Sequence, residues 1–451
     1  MARPLHRLCW LAALLGGSTC SRTSGVPGHA ESSASTASFD ATVATRWMQV
    51  FYDIVKSNTG LTPPVASRAY GYAGVTLYES VVAGMPDYQS LAGQLNDFIG
   101  VPQPDGEVDF RAVANTALGE VIRGGIVPNI NPDNVLLADD LEAAINIELA
   151  FEVDATVLQR STDLGIAIAA AILDWAGHDG FIRFDDCSYT PPVGPGLWAA
   201  LPGQTALQPC WDLLRPFVLV PASGCSPPSH PPFSEVVGSA FRDEAEEVYA
   251  TTGDAGFDLT LEQGNIAYFW SDDAGATGTT AGHWVSIATQ VCATGGESPA
   301  FAAVAHAKLG IAMADAFIAC WQAKYLYNLE RPITCIQRVI DGNWDPLLST
   351  PAFPEYTSGH SVLPGAATTV LTDTLGPRTF TDNTHALHND TVGAGGIVPL
   401  ARSFTDFDQA AREAADSRLF GGIHFRSAID NGLSHGVCVG NEVLSLRFLR
   451  P

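Results

Sequence analysis

In 451 residues, 48 acidic side chains outnumber 23 basic ones, giving a net charge of −25 with histidine neutral. That surplus repels phosphate, which excludes nucleic acids and anionic membrane surfaces as partners. At 46% hydrophobic and 16% charged, the chain can bury one large core or two to three smaller ones, and intrinsic disorder is excluded.

From the amino terminus, Arg3, His6 and Arg7 precede a short apolar stretch, Cys9 to Leu15, followed by small residues and a polar run. This layout predicts a secretory leader over residues 1–30 and hence a secreted or periplasmic protein. A lipid anchor at Cys20 fits less well, because Thr19 is a poor residue before a lipidated cysteine. The apolar stretch is too short to cross a bilayer, and no uncharged apolar run of about 18 or more residues follows, so no membrane span is expected.

Apolar residues then recur at intervals of three and four over 43–55, 69–83, 113–122 and 158–175, predicting an amino-terminal helical half at 31–184. The segment 185–235 carries 11 of the 29 prolines, which forbids regular helix over most of it. So long a stretch inside a compact protein covers a site or joins two halves. Cys187, Cys210 and Cys225 lie in loop-rich surroundings where disulfides are plausible, whereas Cys320 sits in an apolar helical pattern and reads as a buried thiol. No cysteine spacing suits zinc.

Helical periodicity returns at 236–251, 259–270 and 282–292, and most strongly at 301–330, which is expected to stop before Arg331-Pro332. Further helices are predicted after Ser358 and over 409–420 and 433–446. The fold class is therefore mainly α, as two helical-bundle halves, with the chemistry carried by the second, 236–451.

Lys324 and Arg331 stand seven residues apart, nearly two helical turns, so both are expected on one largely apolar face. Two cations there call for a shared anion. Thr357-Ser358-Gly359-His360 follows a turn rich in proline and aromatic residues. It offers a hydroxyl, a close backbone approach and an imidazole at the start of a helix, where an anion is favoured. Pro364 lies close behind, so that helix is expected to be kinked or to begin late. In Ser417-Arg418-Leu419-Phe420-Gly421-Gly422-Ile423-His424, the double glycine breaks a helix and lets His424 face the same point as Arg418. Each element alone reads as surface cations, a helix cap or a packed histidine. Together they supply three fixed cations, a hydroxyl, a glycine amide and two imidazoles, the donor set a tetrahedral oxyanion requires.

The series K-x6-R-P, S-G-H, S-R-x5-H resembles the vanadium-dependent haloperoxidases, in the chloroperoxidase-like bacterial branch of the phosphatidic acid phosphatase type 2 superfamily. The resemblance covers mainly residues 265–440. It extends to Phe269-Trp270-Ser271-Asp272-Asp273 and Gly282-His283-Trp284, and to Trp321 and Phe353 at positions that carry aromatic rings in fungal relatives. It implies that His424 coordinates vanadium(V), that Lys324, Arg331, Ser358, Gly359 and Arg418 hold the vanadate oxygens, and that His360 is the acid/base. Hydrogen peroxide would give a peroxo-vanadate, polarised by Lys324, that oxidises halide to hypohalous acid acting on a small organic substrate. Asp273 would pair with an arginine. The superfamily commonly places an aspartate four residues after the ligating histidine; here Ala428 stands there, which leaves Asp430 or a backbone carbonyl to hold the other ring nitrogen.

Phosphate fits the same cradle, so a soluble acid phosphatase with a phosphohistidine at His424 is the alternative. A secreted oxyanion-binding protein without catalysis is a third. The remaining histidines read as structural: His306 as packed, His385 and His388 as part of a solvated loop, His178 and His435 as without an identifiable partner. Halide preference and oligomeric state, including a homo-oligomer, stay open.

Overall fold

A computed structural model describes residues 33–182, 187–220, 224–393 and 395–451. The expected leader at 1–30 lies outside the described residues. The amino-terminal helices are α1 (Thr42–Ser57), α2 (Pro63–Val81), α3 (Phe110–Val121), α4 (Pro132–Leu149) and α5 (Ala155–Gly177). After the proline-rich segment come α6 (Ala240–Thr252), α7 (Leu261–Phe269), α8 (Thr279–Gly295), α9 (Pro299–Tyr327) and α10 (Pro332–Val339). The chain closes with α11 (Gly359–Leu375), α12 (Thr384–His388), α13 (Phe407–Phe420) and α14 (Arg426–Leu444). One three-residue antiparallel pair, β1 (Phe380–Asp382) and β2 (Arg402–Phe404), interrupts this mainly α fold.

Local chemistry starts these helices. Asp109, Asn131, Asp154 and Asp406 cap α3, α4, α5 and α13 with side-chain oxygens, and Thr260 and Gln263 form a reciprocal capping box on α7. Ser298 caps α9 with Pro299 at its first position.

Packing then sets where the helices cross. A Cβ on Gly74 would stand 2.5 Å from the carbonyl of His306, and one on Gly310 2.6 Å from that of Tyr70, so α2 and α9 meet backbone to backbone. Likewise a Cβ on Gly365 would stand 2.4 Å from the Leu433 carbonyl, which presses α11 against α14. The main apolar core runs without a break from Ala41 to Phe448, through both halves of the chain. Among the described residues, two helices, α5 and α9, are long and apolar enough by length and composition to cross a membrane. Most of α9 is buried in the core.

The structure corrects several sequence expectations. Helix α9 ends at Tyr327, not at Glu330, because Asn328 adopts a left-handed conformation (φ 51°). Lys324 and Arg331 therefore do not share a helix face; Arg331 caps the next helix, α10. Pro364 lies inside α11, which nonetheless begins immediately at Gly359. Helix α4 went unread because Leu136 and Ile147 are exposed and blur its apolar stripe. His385 and His388 are buried, paired with Asp390 and Asp53. His435 is buried too, with Nε2 3.1 Å from the Cys225 carbonyl.

Cys187 pairs with Cys210, and Cys225 with Cys438. Cys320 is a buried free thiol, as are Cys292 and Cys335.

Candidate functional site

The seven residues singled out by motif converge from three helices, α9, α11 and α13, and from the connecting segments that hold Arg331, Ser358 and His424. Between Lys324 and Arg331, the chain pairs with the proline-rich segment: Trp198 N–H donates to the Asn328 carbonyl, and Glu330 N–H to that of Gly196. This bridge fixes the reversal that brings Arg331 back beside α9. Glu330 also accepts two bonds from Arg338, each 2.7 Å.

Both cations then grip the turn that presents Ser358. Lys324 Nζ donates to the carbonyls of Pro354, Glu355 and Thr357 at 3.1, 3.0 and 2.5 Å. Arg331 Nε donates to the Phe353 carbonyl at 2.9 Å. The Phe353 ring lies 4.9 Å from Lys324 Nζ and 4.8 Å from Arg331 Cζ, a cation–π contact to each. It also packs against Trp321, whose indole N–H donates to Leu207 of the proline-rich segment.

A cleft of about 340 Å³ opens on this turn, lined by Trp321, Phe353, Gly359, His360, Arg418 and His424 among others. Gly359 permits the close approach: a Cβ there would come within 3.2 Å of Phe317. Arg418 Nε donates to Ser417 Oγ at 3.0 Å, and Nη2 to the Trp270 carbonyl at 2.5 Å. Burial pushes the Lys324 ammonium down to about 8, and the Arg331 and Arg418 guanidinium groups down to about 10.

His424 follows the Gly421-Gly422 break that ends α13. Its Nδ1 lies 2.8 Å from Glu355 Oε1, which also accepts from Phe425 N–H. Nδ1 therefore carries the proton and Nε2 the lone pair, the tautomer a metal ligand needs. Arg331 Nη1 stands 3.1 Å from that Nε2. Burial, reinforced by Arg331, Lys324 and Arg418, keeps His424 well below the ordinary imidazole range and hence neutral. Burial pushes Glu355 up to about 8.

Glu355 does what was expected of a residue near 428–430. Asp430 instead pairs with Arg412 at the exposed surface. Ala428 is buried, its carbonyl accepting from Ser358 N–H at 3.1 Å, so it ties the two motifs together through backbone.

His360 is the second residue of α11. Its Nε2 lies 2.9 Å from Thr280 Oγ1 and 3.6 Å from Asp272 Oδ2, both reached from the α8 side. Burial and the charges of Arg418, His283 and Lys324 hold it well below the ordinary imidazole range. Asp273 lines the cleft, and burial raises its carboxyl against the pull of Arg418. No ion pair joins it to an arginine among the described residues.

Sequence reasoning thus missed the parts played by Glu355, Asp272 and Thr280. The only signal for Glu355 was a lone acid in an otherwise apolar, proline-rich turn.

The donor set fits a tetrahedral oxyanion on one further observation. Two buried donors belonging to it, Arg331 Nη2 and Ser358 Oγ, have no hydrogen-bond partner among the described residues. Orphaned donors of this kind are costly unless a ligand satisfies them.

Comparison with known proteins gives the same class. A sequence model of the VCPO second helical-bundle domain matches residues 305–448. No curated protein sequence matches the chain. Among solved structures, the first bacterial vanadium-dependent iodoperoxidase is 33% identical, with a TM-score of 0.81 over 91% of this chain and 98% of that one. A holo-type bacterial vanadium-dependent chloroperoxidase shares the fold at 16% identity and a TM-score of 0.65, over 87% of this chain and 94% of that one. An apo-type one does so at 15% and 0.66, over 86% and 95%. The fold is that of the vanadium-dependent haloperoxidases, and the chain belongs to that family.

Proposed function

We propose that this protein oxidises halide with hydrogen peroxide to hypohalous acid, using vanadate held in the His424 cleft. The observation that carries the reading is the pair of orphaned buried donors, Arg331 Nη2 and Ser358 Oγ, beside a neutral histidine whose unprotonated nitrogen is set by Glu355. Bound vanadate supplies a Lewis-acidic centre that activates peroxide without changing its oxidation state.

His424 Nε2 would ligate the vanadium. Arg331, Arg418, Ser358 Oγ and the Gly359 amide would hold the oxygens by charge-assisted bonds. Lys324 gives its three ammonium N–H bonds to the Pro354, Glu355 and Thr357 carbonyls, so it would brace that turn and add positive charge without the oxygen contact expected from the sequence. His360 would take a proton from peroxide and return it to the departing oxygen. Trp321 and Phe353 would exclude water from the cleft. In this reading hydrogen peroxide, halide and a small organic acceptor are the partners, and the protein works outside the cytoplasm.

Similarity to an iodoperoxidase makes iodide the first halide to assay. Metal-free protein should gain peroxide-dependent iodide oxidation on adding orthovanadate, and lose it when phosphate competes. Hydrolysis of a phosphate ester without halide oxidation would instead assign the phosphatase. Vanadate binding with neither activity would assign the inactive oxyanion binder.

A further inference from the structure

Behind His360 lies a buried ionic chain that the halide-oxidising reading does not use. His283, on α8, is fully buried between two carboxylates: Nδ1 is 2.8 Å from Asp272 Oδ1, and Nε2 is 2.8 Å from Asp382 Oδ2. Asp382 sits on β1, its other oxygen accepting from Thr384 N–H at 3.0 Å. The Trp270 ring stacks on His283 with centroids 4.5 Å apart. With an acceptor on each side, both ring nitrogens of His283 donate. Burial alone would push this imidazole down, but the two carboxylates override it and raise it to about 10.

The near end of the chain is unfinished. Asp272 Oδ2 is buried without a hydrogen-bond partner among the described residues, and it is the oxygen that stands 3.6 Å from His360 Nε2. One oxygen of Asp272 is thus locked by His283 while the other is left free toward the acid/base. A buried acceptor is expensive to leave unsatisfied unless a donor arrives at some stage.

We propose that His283, clamped by Asp382, is a positioning residue for the reaction: it fixes the Asp272 carboxylate so that its free oxygen receives the Nε2 proton of His360. Thr280, Arg418 and Lys324 are the other polar groups facing or acting on His360, and none of them is a carboxylate. Asp272 therefore supplies the negative charge opposite the ring. This inference rests on the proposed role of His360 in halide oxidation.

The test uses His283→Gln and the double variant His283→Gln/Asp382→Asn, each loaded with orthovanadate. A glutamine donates to Asp272 but turns its carbonyl oxygen toward the Asp382 carboxylate, so the chain breaks. In the double variant an asparagine N–H meets that oxygen and the chain closes again. For iodide oxidation, His283→Gln should lower kcat about tenfold with KM for peroxide and iodide within about twofold, and the double variant should recover most of it. Nitrogen-15 NMR of the His360 ring should show the tautomer mixture disturbed in the single variant and restored in the double.

Wild-type kcat in both variants, or an unchanged His360 ring, would overturn the inference. If the single variant does not fold, the double variant decides the matter: a tenfold loss there, with the His360 tautomer disturbed, overturns the inference. If wild-type protein oxidises no halide, the functional reading fails by itself, and the ring measurement still tests the chain.

Discussion

Glu355 Oε1 lies 2.8 Å from His424 Nδ1, across 69 residues of sequence, and both side chains are buried. One acid thereby fixes the ring orientation and tautomer of the histidine expected to meet the metal. Glu355→Gln keeps an acceptor for Nδ1 but removes the titratable carboxyl. Orthovanadate affinity, measured by titration calorimetry on metal-free protein, should fall about 10- to 100-fold. Wild-type affinity in this variant would remove Glu355 from the account.

Ser358 Oγ is buried without a hydrogen-bond partner among the described residues. Leaving such a group unsatisfied costs about 1–3 kcal/mol. Ser358→Ala should therefore melt no lower than wild type when metal-free, while binding orthovanadate about tenfold more weakly. A lower Tm with intact affinity would make the hydroxyl structural.

His306 is buried in α9 and held down to about 4 by burial, from an ordinary 6.5. The unfolded chain takes up this proton first as pH falls. Its contribution to stability is thus complete above pH 6.5 and is lost as pH drops toward 4, at about 1.4 kcal/mol per pH unit. His306→Leu should flatten the decline of Tm across that window. An unchanged slope would show that His306 is not kept neutral.

Cys225 and Cys438 join the proline-rich segment to α14 across 213 residues. Cys438→Ser should lower unfolding stability by about 2–4 kcal/mol, read by denaturant titration. Equal midpoints for variant and oxidised wild type would show that the link adds nothing.

Much of this was readable in the sequence, for identifiable reasons. The spacing that joins Lys324 to Arg331 does not put them on one helix face, whereas Ser358, His360, Arg418 and His424 could be grouped because a helix start and a glycine break locate them locally. Their partners could not. Glu355 reaches His424, and Asp382 reaches His283, only through tertiary packing, 69 and 99 residues apart. The end of α9 escaped because a single left-handed Asn328 overrode a strong helical pattern, yet the two cations still converge through the turn it creates. His385 and His388 looked solvated because their surroundings are polar; Asp390 and Asp53 let them be buried.

The central claim is that His424 and its neighbours enclose one four-oxygen ligand. Anomalous diffraction from a vanadate-loaded crystal tests it most directly. The account predicts one vanadium peak within bonding distance of His424 Nε2, with its oxygens meeting Arg331 Nη2 and Ser358 Oγ. A peak elsewhere, or none in fully loaded protein, would contradict it.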